Sequence, residues 1–150
     1  MLHFNCLPFN QLTTNQLYEI MRLRQEVFIV EQDCPYLDAD GKDQRSYHVL
    51  GNDQTQSLQA YTRLVPPGIS YSAYSSIGRV VTSAQVRGKK CGKPLMQFSI
   101  DWCKKLWPQS SIKISAQTYI LKFYNDLGFT EVGETYLEDN IPHIAMILEN

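Results

Sequence analysis

The spacing of hydrophobic residues along this chain changes period several times, and each change marks a new element. Near the N-terminus Leu2, Phe4 and Cys6 alternate with His3 and Asn5, the pattern of a short strand with one buried face. From residue 13 the period lengthens: Leu17, Ile20, Met21, Val27 and Phe28 recur at helical spacing, with Arg22, Gln25 and Glu26 opposite them. Thr13 or Thr14 supplies the capping hydroxyl, and the helix is expected to fade at 30–32, ahead of Cys34-Pro35. Strand patterns return at 46–50 and 58–65, around the polar turn GNDQTQS. Pro66-Pro67-Gly68 breaks the second of these, and a Ser/Tyr-rich loop follows. SIGRVVT at 76–82 has the β-branched content of a central strand.

A loop rich in Gly and Lys at 84–92 opens into a helix over 93–106, whose Leu95, Met96, Ser99, Ile100, Cys103 and Leu106 share one face. Trp107-Pro108 ends it. SIKISAQ at 111–117 alternates again, 119–127 reads as a short helix closed by Gly128, and 129–136 and 142–148 supply two last strands. The order β-α-β-β-β-α-β-α-β-β predicts an α/β fold of the mixed α+β kind, a twisted mixed sheet of six or seven strands flanked by helices. With no repeat or linker, the 150 residues have the size of one domain spanning 1–150.

Composition narrows the function. The chain is 43% hydrophobic and 19% charged, which excludes a disordered protein. Fourteen basic against fifteen acidic side chains argue against nucleic acid or an anionic membrane as partner. The opening MLHFNCLPFN lacks a signal-peptide layout and no apolar run approaches a membrane span, so a cytoplasmic location is expected. Cys6, Cys34, Cys91 and Cys103 form no CxxC pair and no zinc spacing, which leaves them as free thiols with no metal expected. Residues 33–45 are acidic, but counted from Asp38 the glycine comes fourth instead of sixth, and Val49 stands where a calcium loop needs Glu. The segment reads as a solvated turn.

The unit that carries chemistry is 76–98. A strand runs into a loop with glycines at 88 and 92, and the loop opens directly into a helix. Inward-pointing loop amides, the unpaired amides of the first helical turn and the helix dipole together suit a pyrophosphate. Arg87, Lys89, Lys90 and Lys93 add positive charge. Pro94 after Gly92-Lys93 removes the hydroxyl of a Walker loop, and the glycines are too far apart for GxGxxG.

Arg87-Gly88-Lys89-Lys90-Cys91-Gly92 resembles the phosphate loop of the GNAT superfamily of acetyl-CoA-dependent N-acetyltransferases, with Lys90 where that family normally has glycine. LRQEVFIVEQDCPY, IGRVV, ISAQ, FYNDLGF and YLEDNIPHIAM are similar, in order, to signature blocks of its ElaA-like branch. The resemblance implies a sheet in which two parallel strands splay to admit the pantetheine arm, with 79–81 on one side and 115–117 on the other. Coenzyme contacts then fall to Val80, Val81, Gln117, Tyr124 and the loop residues 87–93, with Cys91 among them. Tyr124 matches the family tyrosine that points at the coenzyme sulfur, which makes it the general acid, and an amide near Val80 or Val81 serves the oxyanion. Glu31, Glu138, Asp139 and His143 are acceptor-side candidates for the base.

The activity implied is acetyl transfer from acetyl-CoA, a co-substrate, to a primary amine of a small molecule or peptide, by direct attack in a ternary complex. The alternative is a coenzyme A-binding module without turnover. A monomer or homodimer is expected. Autoinducer synthases share an early helix rich in Arg and Val-Phe, but they are longer chains.

Overall fold

The computed structural model describes residues 1–150 and contains seven strands and three α-helices. Strands β1 (His3–Pro8), β2 (Tyr47–Asn52), β3 (Leu58–Val65) and β4 (Ser76–Thr82) pair antiparallel in chain order. Strands β5 (Ile112–Gln117), β6 (Thr130–Glu138) and β7 (Ile141–Leu148) form a second antiparallel sheet with β7 in the middle. A single parallel bridge, Ser75 to Ile112, joins the two. There the Ser75 amide donates to the Ser111 carbonyl at 3.2 Å, and the Lys113 amide donates to the Ser75 carbonyl at 2.9 Å. The mixed sheet expected from the strand order is therefore two antiparallel sheets hinged at one end. Beyond the hinge β4 and β5 run parallel but unpaired.

A bulge in β4 lies where the strands part. Tyr61 faces Val81 and Arg63 faces Gly78, so Thr62 opposes both Arg79 and Val80. Arg79 takes a φ of +52° there. Such a bulge bends its strand and takes a residue out of the ladder.

The pleat sends alternate side chains to two cores. Val49, Ala60, Leu64 and Ile77 pack with Leu95, Met96 and Ile100 of helix α2 (Gly92–Leu106). Leu50, Tyr61 and Val81 pack with Ile20 and Leu23 of helix α1 (Thr14–Arg24), and with Val27 beyond it. The two helices thus cover opposite faces of the first sheet. Helix α3 (Leu121–Asp126) joins the α2 side through Tyr124, beside Ile114 and Ala116 of β5. Its end is set by Gly128 at φ +104°, where the Phe129 amide closes back on the Tyr124 carbonyl at 3.1 Å.

Thr13 is the α1 cap. Its hydroxyl accepts from the Gln16 amide at 3.1 Å, and its own amide donates to the Gln16 side chain at 2.9 Å. After Arg24 the helix widens through Gln25–Glu31, with the Gln32 amide reaching back to Val27 and the Cys34 amide to Ile29. This wide turn aims Val27, Phe28 and Glu31 at the gap between β4 and β5.

The acidic segment is not a solvated turn. Arg24 is fully buried and donates to Asp38 and Asp43, each at 2.8 Å. Arg63 donates to Asp40 at 2.8 Å and Asp43 at 3.0 Å, and Arg79 to Asp38 at 2.8 Å. Three arginines on three elements thus balance three aspartates. Burial opposes ionisation of Asp43, but the hydrogen bonds and charge of Arg24 and Arg63 hold it below the usual carboxylate range. His48 is buried beside it and its pKa is lowered by desolvation. Nε2 of this neutral ring donates to the Asp43 carbonyl at 2.9 Å, while Nδ1 accepts from the Tyr61 hydroxyl at 2.6 Å. The network fixes the loop and the β4 bulge against α1.

Candidate active site

The gap between β4 and β5 encloses a cavity of about 480 Å³. Val80 and Val81 of β4, Gln117 of β5 and Tyr124 of α3 all line it, as do Glu138, Asp139 and His143 from the β6–β7 hairpin. A second hollow of about 300 Å³ lies over Arg87, Gly88, Lys90, Cys91 and Gly92. Thr82 and Arg87 line both, so the two adjoin.

Gly88 and Lys90 both take left-handed backbone, at φ +79° and +60°. Lys90 therefore holds the conformation that glycine adopts most readily, and the loop keeps its shape at some strain. Between 86 and 91 only the amides of Val86 and Lys89 donate to backbone carbonyls. Those of Arg87, Gly88, Lys90 and Cys91 remain available to an anion, together with the first turn of α2. Nothing lies within 4 Å of where a Gly88 side chain would start, whereas at Gly92 one would meet the Phe123 ring at 3.5 Å.

The cations divide. Arg87 and Lys90 border the second hollow, but Lys89 faces a third hollow beside Asp53 and Met1, and Lys93 lines none of the three. Arg87 is already engaged. Both of its terminal nitrogens donate to the Glu31 carboxylate, Nη2 at 3.1 Å, and Nη2 also reaches the Thr82 carbonyl at 3.2 Å. The pair ties the wide turn after α1 to the loop that precedes α2, and both residues line the cavity.

Tyr124 is 7% exposed, its ring set edge-on to Phe123 at 5.1 Å and Phe129 at 6.0 Å. Burial pushes its phenol up to about 12. The group therefore stays protonated at neutral pH and is a proton donor.

On the second sheet Gln117 and His143 are register partners, as are Tyr136 and His143. His143 is 6% exposed, with Tyr136 stacked on it at 6.2 Å. His143 Nδ1 donates to the Ile141 carbonyl at 2.7 Å, and Nε2 lies 3.5 Å from Glu138 Oε2. Glu138 Oε1 accepts from the Ser115 hydroxyl at 3.4 Å, and Ser115 also hydrogen-bonds the Tyr136 hydroxyl. On β5 Ile114 and Ala116 point toward α2 and α3, so Ser115 and Gln117 point the other way. Tyr124 therefore lies on the α2 side of the splay, and Ser115 and Gln117, with their neighbours Glu138 and His143, on the other.

The cavity lining includes residues from both strand segments expected beside the splay, 79–81 and 115–117, but the contacts of Ser115 with Glu138 and of Tyr136 with His143 were not foreseen. The alternation of SIKISAQ marks Ser115 as facing away from the core, but nothing in the chain pairs it with β6. No group of three His, Cys, Asp or Glu side chains is placed to hold a metal ion, and no helix is long and apolar enough to cross a membrane.

Comparison with known proteins agrees with this geometry. A family model described as an acetyltransferase (GNAT) domain matches residues 38–150. The chain is 39% identical to protein ElaA of Escherichia coli K12, over 99% of this chain and 97% of ElaA. It superposes on the crystal structure of E. coli ElaA with a TM-score of 0.90. An acyl-CoA N-acyltransferase from Pseudomonas aeruginosa gives a TM-score of 0.91 at 37% identity, covering 98% of this chain and 99% of that one. A CoA-dependent acyl-homoserine lactone synthase, BjaI, shares the fold at 18% identity, with a TM-score of 0.79 over 99% of this chain and 82% of its own. The chain belongs to the GNAT acetyltransferase family, on its ElaA-like branch, and is an acyltransferase.

Proposed function

We propose that the protein is an N-acetyltransferase that moves an acetyl group from acetyl-CoA to a primary amine of a small molecule or peptide, by direct attack with both substrates bound. The observation that carries this reading is the continuity of the phosphate hollow with the splay, through Thr82 and Arg87. The free amides of Gly88, Lys90 and Cys91, with the guanidinium of Arg87, fit a pyrophosphate. The unpaired edges of β4 and β5 fit a chain of amides such as pantetheine. When bound, the coenzyme supplies an activated thioester.

The protein's residues do the rest. The bulge at Arg79 and Val80 frees backbone amide capacity beside the acyl group, where it stabilises negative charge on the carbonyl oxygen. Tyr124 holds a proton at its hydroxyl and donates it to the departing sulfur. The second face of the splay, at Glu138 and His143, receives the amine.

Thiol release measured against a panel of amines tests the assignment. Release that depends on both acetyl-CoA and an amine is expected. Coenzyme binding by calorimetry without thiol release for any amine would instead mark a binding module.

A further inference from the structure

We infer that Asp38 is a positioning residue for acyl transfer: through the Arg79 side chain it holds the left-handed turn of the β4 bulge, and with it the direction of the backbone amides that meet the thioester carbonyl. The inference rests on the acetyl-transfer reading above and names what keeps that site in shape.

The shape of the bulge is not a default. Arg79 has a φ of +52°, in the region that glycine enters freely and a residue with a Cβ enters at a cost. The first residue of a common bulge lies near the right-handed helical region instead. The flanking register, Gly78 with Arg63 and Val81 with Tyr61, makes two residues face Thr62 but is compatible with either shape. The choice matters, because rotation about φ turns the peptide planes beside Arg79 and re-aims the amides at 79 and 80. Strained backbone of this kind persists where the surrounding contacts over-determine it.

Those contacts come from the acidic segment. Arg79 Nε donates to Asp38 Oδ1 at 2.8 Å, and Nη2 donates to the Asp38 carbonyl at 3.0 Å. One residue thus grips the guanidinium with both its side chain and its backbone. Asp38 is itself 5% exposed and anchored to α1. Its Oδ2 accepts from Arg24 Nε at 2.8 Å, and its carbonyl from Arg24 Nη2 at 3.2 Å. Tyr36 closes the other side, its hydroxyl donating to Asp38 Oδ1 at 3.1 Å and its ring lying 5.9 Å from the Arg79 guanidinium carbon. Burial pushes that phenol up to about 12, so it remains a donor at neutral pH. Arg79 and Tyr36 line the cavity, whereas Asp38 does not. The tether therefore runs from buried Arg24 through Asp38 to the only residue of β4 with left-handed backbone.

Paired substitutions at Arg79 separate the tether from the backbone it holds. R79A removes the tether and keeps the Cβ, whereas R79G removes the tether and also the need for it. Asp38 keeps its bonds to Arg24 in both, and the Arg79 side chain is 23% exposed, so both variants should fold. Infrared absorption of bound acetyl-CoA, isotope-labelled at the thioester carbonyl carbon, reports the amides directly. Single-turnover thiol release with ethanolamine reports the rate. In the native protein the carbonyl band should lie below its position in water. R79A should move it at least half way back and lower the rate about 10²-fold, the effect of an oxyanion donor lost or displaced by about 1 Å, with acetyl-CoA affinity unchanged within about threefold. R79G should restore the band and bring the rate to within about tenfold of native.

Asn at position 38 cannot accept from Arg24 and Arg79 at once. D38N should therefore lower the rate about tenfold in the native background and leave R79G unchanged, since nothing at 79 remains to be held. A band and rate in R79A that match the native protein, R79G as impaired as R79A, or equal D38N losses in both backgrounds would overturn the inference. So would a native band no lower than in water. If D38N does not fold, the Arg79 pair carries the test, and if ethanolamine is not turned over, the carbonyl band decides. Transfer to no amine at all by the native protein would overturn the acetyl-transfer reading, while the band would still judge the tether.

Discussion

Replacing Tyr124 by Phe removes a single oxygen, and the surroundings of that oxygen set the expected effect. The ring keeps its edge-on contacts with Phe123 and Phe129. No protein group hydrogen-bonds the hydroxyl, and it is not among the buried polar atoms left without a partner, so it opens to the cavity. No intramolecular hydrogen bond worth about 1 kcal/mol is lost, and folding stability should stay within about 0.5 kcal/mol. Coenzyme affinity should hold as well, because the ring still closes the wall of the splay. Turnover is different. Loss of a positioned general acid lowers the rate by about 10²–10⁴-fold, which corresponds to roughly 2.7–5.4 kcal/mol of transition-state stabilisation. Single-turnover thiol release at saturating acetyl-CoA isolates the chemical step, and a melting curve with a coenzyme titration controls for the rest. With the native phenol pushed up to about 12, its ionisation should contribute no limb to the rate profile between pH 6 and 9. A Phe variant whose chemical step is within a few fold of the native rate would refute the acid role.

Arg87→Ala should weaken coenzyme binding by about 1.5–3 kcal/mol, the range of a lost charge-assisted hydrogen bond, and unchanged affinity by calorimetry would count against the loop assignment. Glu31→Gln should act in the opposite direction, tightening coenzyme binding a few fold, because Glu31 competes for the same guanidinium. Arg24→Ala strands the buried Asp38 and Asp43 and should cost about 3–5 kcal/mol in denaturant melts; a loss under 1 kcal/mol would contradict the network. Acid should also destabilise the fold. Burial lowers the His48 pKa, and Arg24 and Arg63 hold Asp43 down against its own desolvation. Both groups therefore bind protons more readily when unfolded, so their contribution is complete above about pH 6.5 and is lost as pH falls, through the histidine range and then the carboxylate range. A melting temperature flat from pH 7 to 4 would contradict this.

Local patterns made most elements legible. Alternation located every strand to within two residues at each end, and the capping hydroxyl, the α2 stripe and Gly128 act within one turn of the residues that carry them. The loop that borders the second hollow was legible as a unit because strand, loop and helix are contiguous in the chain. The division into two sheets was implied only by the family resemblance and not by the hydrophobic pattern, since it depends on β4 and β5 meeting only at Ser75 and Ile112 across 36 intervening residues. The acidic segment misled for the same reason. Asp38 and Asp43 look solvated until Arg24, Arg63 and Arg79 converge on them from α1, β3 and β4. Likewise the contact of Ser115 with Tyr136 and Glu138 arises only when β5 and β6 flank β7. Charge and polarity alone do not say which side chains will find partners far along the chain.

The central claim is that the splay between β4 and β5 is where the thioester arm lies, and amide hydrogen exchange read residue by residue with and without acetyl-CoA tests it most directly. Coenzyme should slow exchange at two sets of amides together: the phosphate loop at 87–93, and the facing strand edges at 79–82 and 115–117. Protection confined to the loop, with both strand edges exchanging as in the free protein, would contradict the account.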